Sequence, residues 1–330
     1  DQVLSGQPDG SFDDTSEPWI GSATLGRGLG IVAGRLDGRN QGVYVVNDAS
    51  PNTYYRWMTE DERLDDQGII SGLAVDAQSL DQGSMGIASS DFDHDGDLDF
   101  YVTGFANEYN IFYDQVSSGF WSDRTAAMGI VDDTLKTVGF GTEAIDLDND
   151  GVDEIAVTNG HVGIFQPPLP PYAQPFQLFR RTRSGGYANA MGSDEERKNW
   201  GEYFQVPHVG RGLFSGDVNG DGLCDAVVTH ANEPVAVLAN ETDANNHRIT
   251  LRLVDRDAGR DGIGSIVDLE LGNTDQPIPR RYFQLAGHGY LCSNEQVMWV
   301  GTGRSTEARN VVVTWPDGTQ QSLGDLKSNA

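Results

Sequence analysis

Short apolar runs closed off by turn residues recur along this chain, and stripes at helical spacing are scarce. Val43-Tyr44-Val45-Val46, Phe100-Tyr101-Val102 and Val311-Val312-Val313 read as strands bounded by Gly, Asn, Asp and Pro. Further runs predict partner strands: Thr53-Tyr-Tyr-Arg-Trp57, Asn110-Ile-Phe-Tyr113, Gln177-Leu-Phe-Arg180 and Val235-Ala-Val-Leu238. From about Asn245 the pattern changes. Ile249–Val254, Ile266–Leu271 and Val311–Trp315 alternate apolar with polar residues, which predicts antiparallel strands with one wet face. Gly262, Gly272 and Asp317-Gly318 mark turns between them. The pattern therefore predicts an all-β chain in two parts, 1–243 and 244–330.

Internal repetition carries the most information. Three nonapeptides share one plan: Asp91-Phe-Asp-His-Asp-Gly-Asp-Leu-Asp99, Asp146-Leu-Asp-Asn-Asp-Gly-Val-Asp-Glu154 and Asp217-Val-Asn-Gly-Asp-Gly-Leu-Cys-Asp225. Positions 1, 3, 5 and 9 carry side-chain oxygens: Asp91, Asp93, Asp95 and Asp99; Asp146, Asp148, Asp150 and Glu154; Asp217, Asn219, Asp221 and Asp225. Position 6 is glycine each time, where a tight loop needs positive φ without steric cost. Position 7 varies freely (Asp97, Val152, Leu223), so a ligand there would be its backbone carbonyl. Such an all-oxygen set suits a Ca²⁺ shell better than the stricter octahedron of Mg²⁺. About three calcium sites are expected. The closing acid stands at position 9 with strand-like residues after it, so these loops are not EF-hands.

A fourth copy lies upstream, with Arg35, Asp37 and Arg39 at positions 1, 3 and 5. It is expected to bind no calcium, an arginine taking over part of the cation's electrostatic role. Copies begin at 35, 91, 146 and 217, and the longest interval holds the Pro167-Pro-Leu-Pro-Pro171 insertion. Gly10-Ser-Phe-Asp-Asp14 resembles the tail of an earlier copy. Roughly 55 residues and about four strands per unit match a β-propeller blade.

With Gly139-Phe-Gly141 and Gly210-Arg-Gly212 before them, these loops resemble FG-GAP/VCBS repeats, the calcium-binding blades of integrin-α-like propellers. Tyr44–Asn52, Thr158-Asn-Gly-His161 and Tyr172–Phe179 are similar to the group that includes cartilage acidic protein. Asn246–Leu253, Asp261–Ser265, Gly287-His-Gly-Tyr-Leu291 and Val313–Thr319 resemble the ASPIC/UnbV domain. The resemblance implies a calcium-loaded propeller followed by a small β-sandwich or barrel-like domain. It also implies a secreted, extracellular or periplasmic, setting and a binding, adhesion or assembly role rather than catalysis, with a protein or glycan partner. The second domain would be either a partner-binding module or a structural cap.

Charge narrows the partners. Of the 330 residues, 50 are acidic and 22 are Lys or Arg, giving a formal charge of −28. Nucleic acid and anionic membranes demand clustered cations and are excluded as expectations. No apolar run is long enough to span a bilayer, so membrane insertion is not expected. The chain opens at Asp1 without Met or a leader-like stretch, which reads as a processed or trimmed N-terminus. Cys224 and Cys292 could pair, but buried free thiols are the more ordinary outcome. His161, His208, His230 and His288 read as turn or core-edge residues, since no nucleophile signature accompanies them. Asn240-Glu-Thr242 matches a glycosylation sequon. The alternative is a polysaccharide-active lyase or hydrolase, whose carboxylates would lie outside the calcium loops, with Glu108, Glu143 and Glu202 as candidates.

Overall fold

The computed structural model describes residues 2–21, 26–242, 245–255, 260–273 and 275–328. The expected boundary at residues 243–244 lies outside them. Among the described residues the chain is all-β, with five α-helical segments of no more than five residues each and one three-residue 3-10 turn, Tyr203–Gln205.

A hairpin of β1 (Leu4–Gly6) and β2 (Phe12–Asp14) comes first. Four antiparallel meanders follow, each with its strands in chain order. The first holds β3 (Gly28–Gly34), β4 (Gly42–Asn47), β5 (Thr53–Met58) and β6 (Arg63–Asp66). The second holds β7 (Ile87–Ser90), β8 (Asp99–Val102), β9 (Ile111–Ser117) and β10 (Phe120–Asp123). The third holds β11 (Gly139–Ile145), β12 (Glu154–Asn159), β13 (Gln177–Arg181) and β14 (Tyr187–Asn189). The fourth has three strands, β15 (Gly210–Gly216), β16 (Asp225–His230) and β17 (Ala236–Leu238).

Successive sheets pack face to face. Tyr44 and Tyr54 of the first share a core with Phe100, Tyr113 and Trp121 of the second. Phe92, Tyr101 and Phe112 of the second meet Ile155, Val157 and Phe179 of the third. Ile145, Ala156 and Leu178 of the third meet Leu213 and Val228 of the fourth. Neighbours Phe100 and Tyr101 thus serve different cores, and both are fully buried. Strands covered on both faces need no polar side, which is why these runs are continuously apolar. First strands of adjacent sheets come close enough to exclude side chains. A Cβ at Gly86 would lie 2.2 Å from the Phe140 carbonyl, and one at Gly141 2.5 Å from the Leu213 nitrogen.

The C-terminal unit has its own core. β18 (His247–Leu251) pairs with β23 (Met298–Gly303), and β19 (Val254–Asp255) with β20 (Arg260–Asp261). β21 (Ile266–Asn273), β22 (Gln276–Phe283), β24 (Glu307–Thr314) and β25 (Gln320–Lys327) form a sheet in the order β22-β21-β24-β25. Val267, Leu269, Val311 and Val313 from that sheet bury against Ile249, Met298 and Val300 of the β18–β23 pair. Here one face is wet, and the strands alternate as their sequence predicts.

Between β22 and β23 the chain leaves this unit and runs along the first strands of all four sheets. Ala286 exchanges backbone hydrogen bonds with Ala33 (2.8 and 2.8 Å), and Gly289 with Ile87 (2.8 and 3.2 Å). Asn294 accepts from the Ser215 N–H at 3.1 Å and donates to Glu143 Oε2 at 2.7 Å. Gly287 sits at φ +79°, and a Cβ there would fall 2.1 Å from the Ile31 carbonyl, so only glycine passes.

Candidate metal centres

Each acidic nonapeptide links the first and second strands of a sheet, and all three fold alike. The position 6 N–H donates to the position 1 carboxylate: Gly96 to Asp91 (3.0 Å), Gly151 to Asp146 (2.8 Å) and Gly222 to Asp217 (2.8 Å). The position 2 N–H donates to the closing acid: Phe92 to Asp99 (3.1 Å), Leu147 to Glu154 (3.1 Å) and Val218 to Asp225 (2.9 Å). Position 7 donates to position 5: Asp97 to Asp95 (2.9 Å), Val152 to Asp150 (2.8 Å) and Leu223 to Asp221 (2.8 Å). Gly96, Gly151 and Gly222 have φ of +94°, +85° and +83°. Position 4 is left-handed as well, at His94 (+68°), Asn149 (+56°) and Gly220 (+80°). The sequence reading missed this second turn point, for which the Asn and Gly there were the available signal.

The loops differ in which oxygens converge. In loop 1, Asp91, Asp93 and Asp99 each bring one carboxylate oxygen within 4.8 Å of the others. Loop 2 does the same with Asp146, Asp148 and Asp150. Asp95, Asp97 and Glu154 lie outside these groups, and Asp217, Asp221 and Asp225 do not converge in this way. In loop 3 Asn219 donates to Asp221 at 2.9 Å, and Asp225 accepts from Val218 and Asn240 at 2.9 and 2.7 Å, as Asp99 of loop 1 accepts from Phe92 and Gln115 at 3.1 and 2.9 Å. Hydrogen bonds from the Leu223 N–H and Asn219 hold exposed Asp221 below the usual carboxylate range.

Loops 1 and 2 carry the opposite stress. Burial, then Asp95, pushes Asp91 up to about 7. Burial pushes Asp99 to about 9, with Asp93 adding repulsion, and Asp146 to about 8, with Asp153 adding to it. Asp91 is 6% exposed, and its Oδ1 has no hydrogen-bond partner. Asp148 Oδ1 is also buried and unpartnered. A cation would supply the missing partner, and donors that are all oxygen fit a hard divalent ion.

Arginines surround the loops in two ways. Arg181 donates to the Asp93 carbonyl (3.1 Å), Arg281 to the Gly96 carbonyl (3.2 Å) and Arg248 to the Asp221 carbonyl (3.1 Å). Arg180 instead grips carboxylates, with Nη2 2.8 Å from Asp148 Oδ2 and Nε 2.9 Å from Glu154 Oε1. In the upstream copy, Arg35 donates to the Trp315 and Pro316 carbonyls (3.0 and 2.9 Å). Asp37 there accepts from the Arg39 and Asn40 N–H groups at 2.9 and 2.6 Å.

Other candidate residues are engaged elsewhere. Cys224 and Cys292 are both free thiols, so the pairing does not form. Asn240, the sequon asparagine, donates its amide to the Leu147 and Cys224 carbonyls at 2.9 and 3.2 Å, which ties up the nitrogen a glycan would need. His161 packs between Phe105 and Phe165 (ring centroids at 5.4 and 4.6 Å). His208 bonds Glu233 at 2.7 Å and stacks on Tyr203, His230 bonds Tyr203, and burial pushes His288 down to about 4. Glu108 accepts from the Gly83 and Phe105 N–H groups at 2.8 and 3.2 Å, Glu202 leads into a turn of helix, and Glu143 is buried beneath Asn294.

Residues 255–330 match the family model described as ASPIC and UnbV. The chain is 25% identical to Cartilage acidic protein 1 of Xenopus tropicalis over 309 residues, 92% of this chain and 43% of that protein. It is 25% identical to the Homo sapiens protein of the same name over 317 residues, 94% of this chain and 44% of the relative. It thus spans less than half the length of these relatives. Among solved structures, the V. cholerae biofilm matrix protein Bap1 overlaps 91% of this chain and 60% of its own, at 11% identity and a TM-score of 0.32, too loose to carry an argument. No helix among the described residues is long and apolar enough to cross a membrane.

Proposed function

We propose that this chain is a secreted calcium-binding protein whose four meanders are FG-GAP-type blades of a β-propeller, and that it serves adhesion or assembly rather than catalysis. The observation that carries the calcium reading is Asp91: a carboxylate buried to 6% exposure, one oxygen unpartnered, facing Asp93 and Asp99. An uncompensated charge in that position is costly, and a bound divalent cation removes the cost. Calcium's role is structural, holding the tight link between first and second strands and neutralising its acids. The similarity to Cartilage acidic protein 1 and the ASPIC and UnbV match support an extracellular, non-enzymatic role, and a protein or glycan partner is part of this proposal.

Calorimetric titration of chelator-stripped protein tests the reading. Calcium is expected to bind and to raise the melting temperature by many degrees, and Asp93→Asn to abolish the tightest site. Melting curves that coincide in excess EGTA and in millimolar calcium would sink it.

A further inference from the structure

The three loops share a backbone but differ in what stands across from the closing acid. Phe100 pairs with Tyr113, so the ladder places Asp114 opposite Asp99. Ile155 pairs with Phe179, which places Arg180 opposite Glu154. Ala226 pairs with Leu238, which places Ala239 opposite Asp225. The consequence appears in the converging oxygens. Loop 1 gathers positions 1, 3 and 9, whereas loop 2 gathers positions 1, 3 and 5, its position 9 turned to a guanidinium.

We propose that Arg180 is the resident cation of loop 2 and sets the order in which the loops fill. It spans positions 3 and 9 through two nitrogens, Nη2 on Asp148 and Nε on Glu154. These are the carboxylates a calcium ion would compete for. Arg181 and Arg281 beside loop 1 donate to carbonyl oxygens and leave its carboxylates open. An incoming Ca²⁺ at loop 2 meets a fixed positive charge and must draw Glu154 away from it, and like charges at that range repel strongly. The planar fork that holds both acids is a property of arginine that lysine lacks. Arg180 is 43% exposed on its side chain, so it has room to swing into solvent when calcium enters. Loop 2 therefore binds more weakly than loop 1, and without metal its acids are held by a guanidinium, whereas the arginines at loop 1 hold only backbone carbonyls. This inference rests on the calcium reading above.

The test is calcium titration of the chelator-stripped full chain, together with melting curves with and without calcium. Arg180→Met keeps the aliphatic stem and removes the charge. It is expected to tighten one weak class of site at least tenfold, and adding Asp150→Asn to it is expected to cancel the gain. Without calcium the Met variant should melt below the wild type, and in saturating calcium at or above it. A structural brace alone would lower both melting temperatures, and that result, or an unchanged affinity, overturns the proposal. Should Arg180→Met fail to fold, Arg180→Lys keeps one charge without the two-oxygen bridge. An intermediate affinity supports the competition and an unchanged one overturns it. Calcium binding to loop 1, lost in Asp93→Asn, with no effect at Arg180 defeats this inference alone. No calcium binding in any variant defeats the calcium reading with it.

Discussion

At the scale of single residues, Glu143 is the conspicuous departure from the repeat. Two residues after Gly141, it stands where Val32, Ala88 and Phe214 follow Gly30, Gly86 and Gly212 in the other three sheets. The side chain is 2% exposed, Oε2 accepts from Asn294, and Oε1 has no partner. Burial pushes this carboxyl well above the usual carboxylate range. The folded protein therefore keeps a proton that the unfolded chain gives up. By linkage, the contribution to stability is complete below the unfolded value and declines as pH rises toward the raised folded one. Glu143→Gln preserves an acceptor for Asn294 and removes the titration. It should melt higher than the wild type at pH 7.5, with the advantage shrinking steadily as the comparison moves to pH 5. An advantage independent of pH would mean that Glu143 is ionised in the fold.

Among the elements, the segment from Gln284 to Gln296 depends most on its exact backbone. It adds no strand to a sheet, yet its bridges to Ala33 and Ile87 and its Asn294 bonds touch the first strand of every meander. Gly287 and Gly289 hold positive φ beside neighbouring carbonyls. Gly287→Ala should cost about 2 kcal/mol or more, as a left-handed non-glycine residue with a steric clash does. Denaturant unfolding of the pure variant measures it, and a loss under about 0.5 kcal/mol, the range of an ordinary surface change, would contradict this account of the packing.

For the whole molecule, the C-terminal unit rests on the repeat loops rather than beside them. Arg281 reaches loop 1, Asn246 the Asp148 carbonyl (2.8 Å) and the Gly303 N–H the Asn149 carbonyl (2.9 Å) of loop 2, and Arg248 loop 3. The upstream copy joins in through Arg35. These bonds end on backbone oxygens whose positions depend on the closed loop. On the calcium reading proposed above, removing the ion is expected to speed amide exchange in β18, β22 and β23 as well as in the loops. Hydrogen-exchange mass spectrometry with and without EGTA checks this; acceleration confined to residues 91–99 and 146–154 would uncouple the unit from the loops.

The all-β class, the three acidic loops, the degenerate copy and the change of pattern near Asn245 were legible in the sequence. Each is local: an oxygen-bearing side chain at fixed offsets, a glycine where φ must be positive, a strand period. What distinguishes the loops from one another was not legible, because it depends on partners remote in the chain. Arg180 lies 26 residues from Glu154 and 32 from Asp148, and only the register of β12 against β13 brings it to both. The tied amide of Asn240 and the path of residues 284–296 along all four sheets were likewise decided by tertiary packing, whereas free thiols at Cys224 and Cys292 were the outcome the sequence favoured. Local spacing determines which residues can bind a cation, and the fold determines which of them are left free to do so.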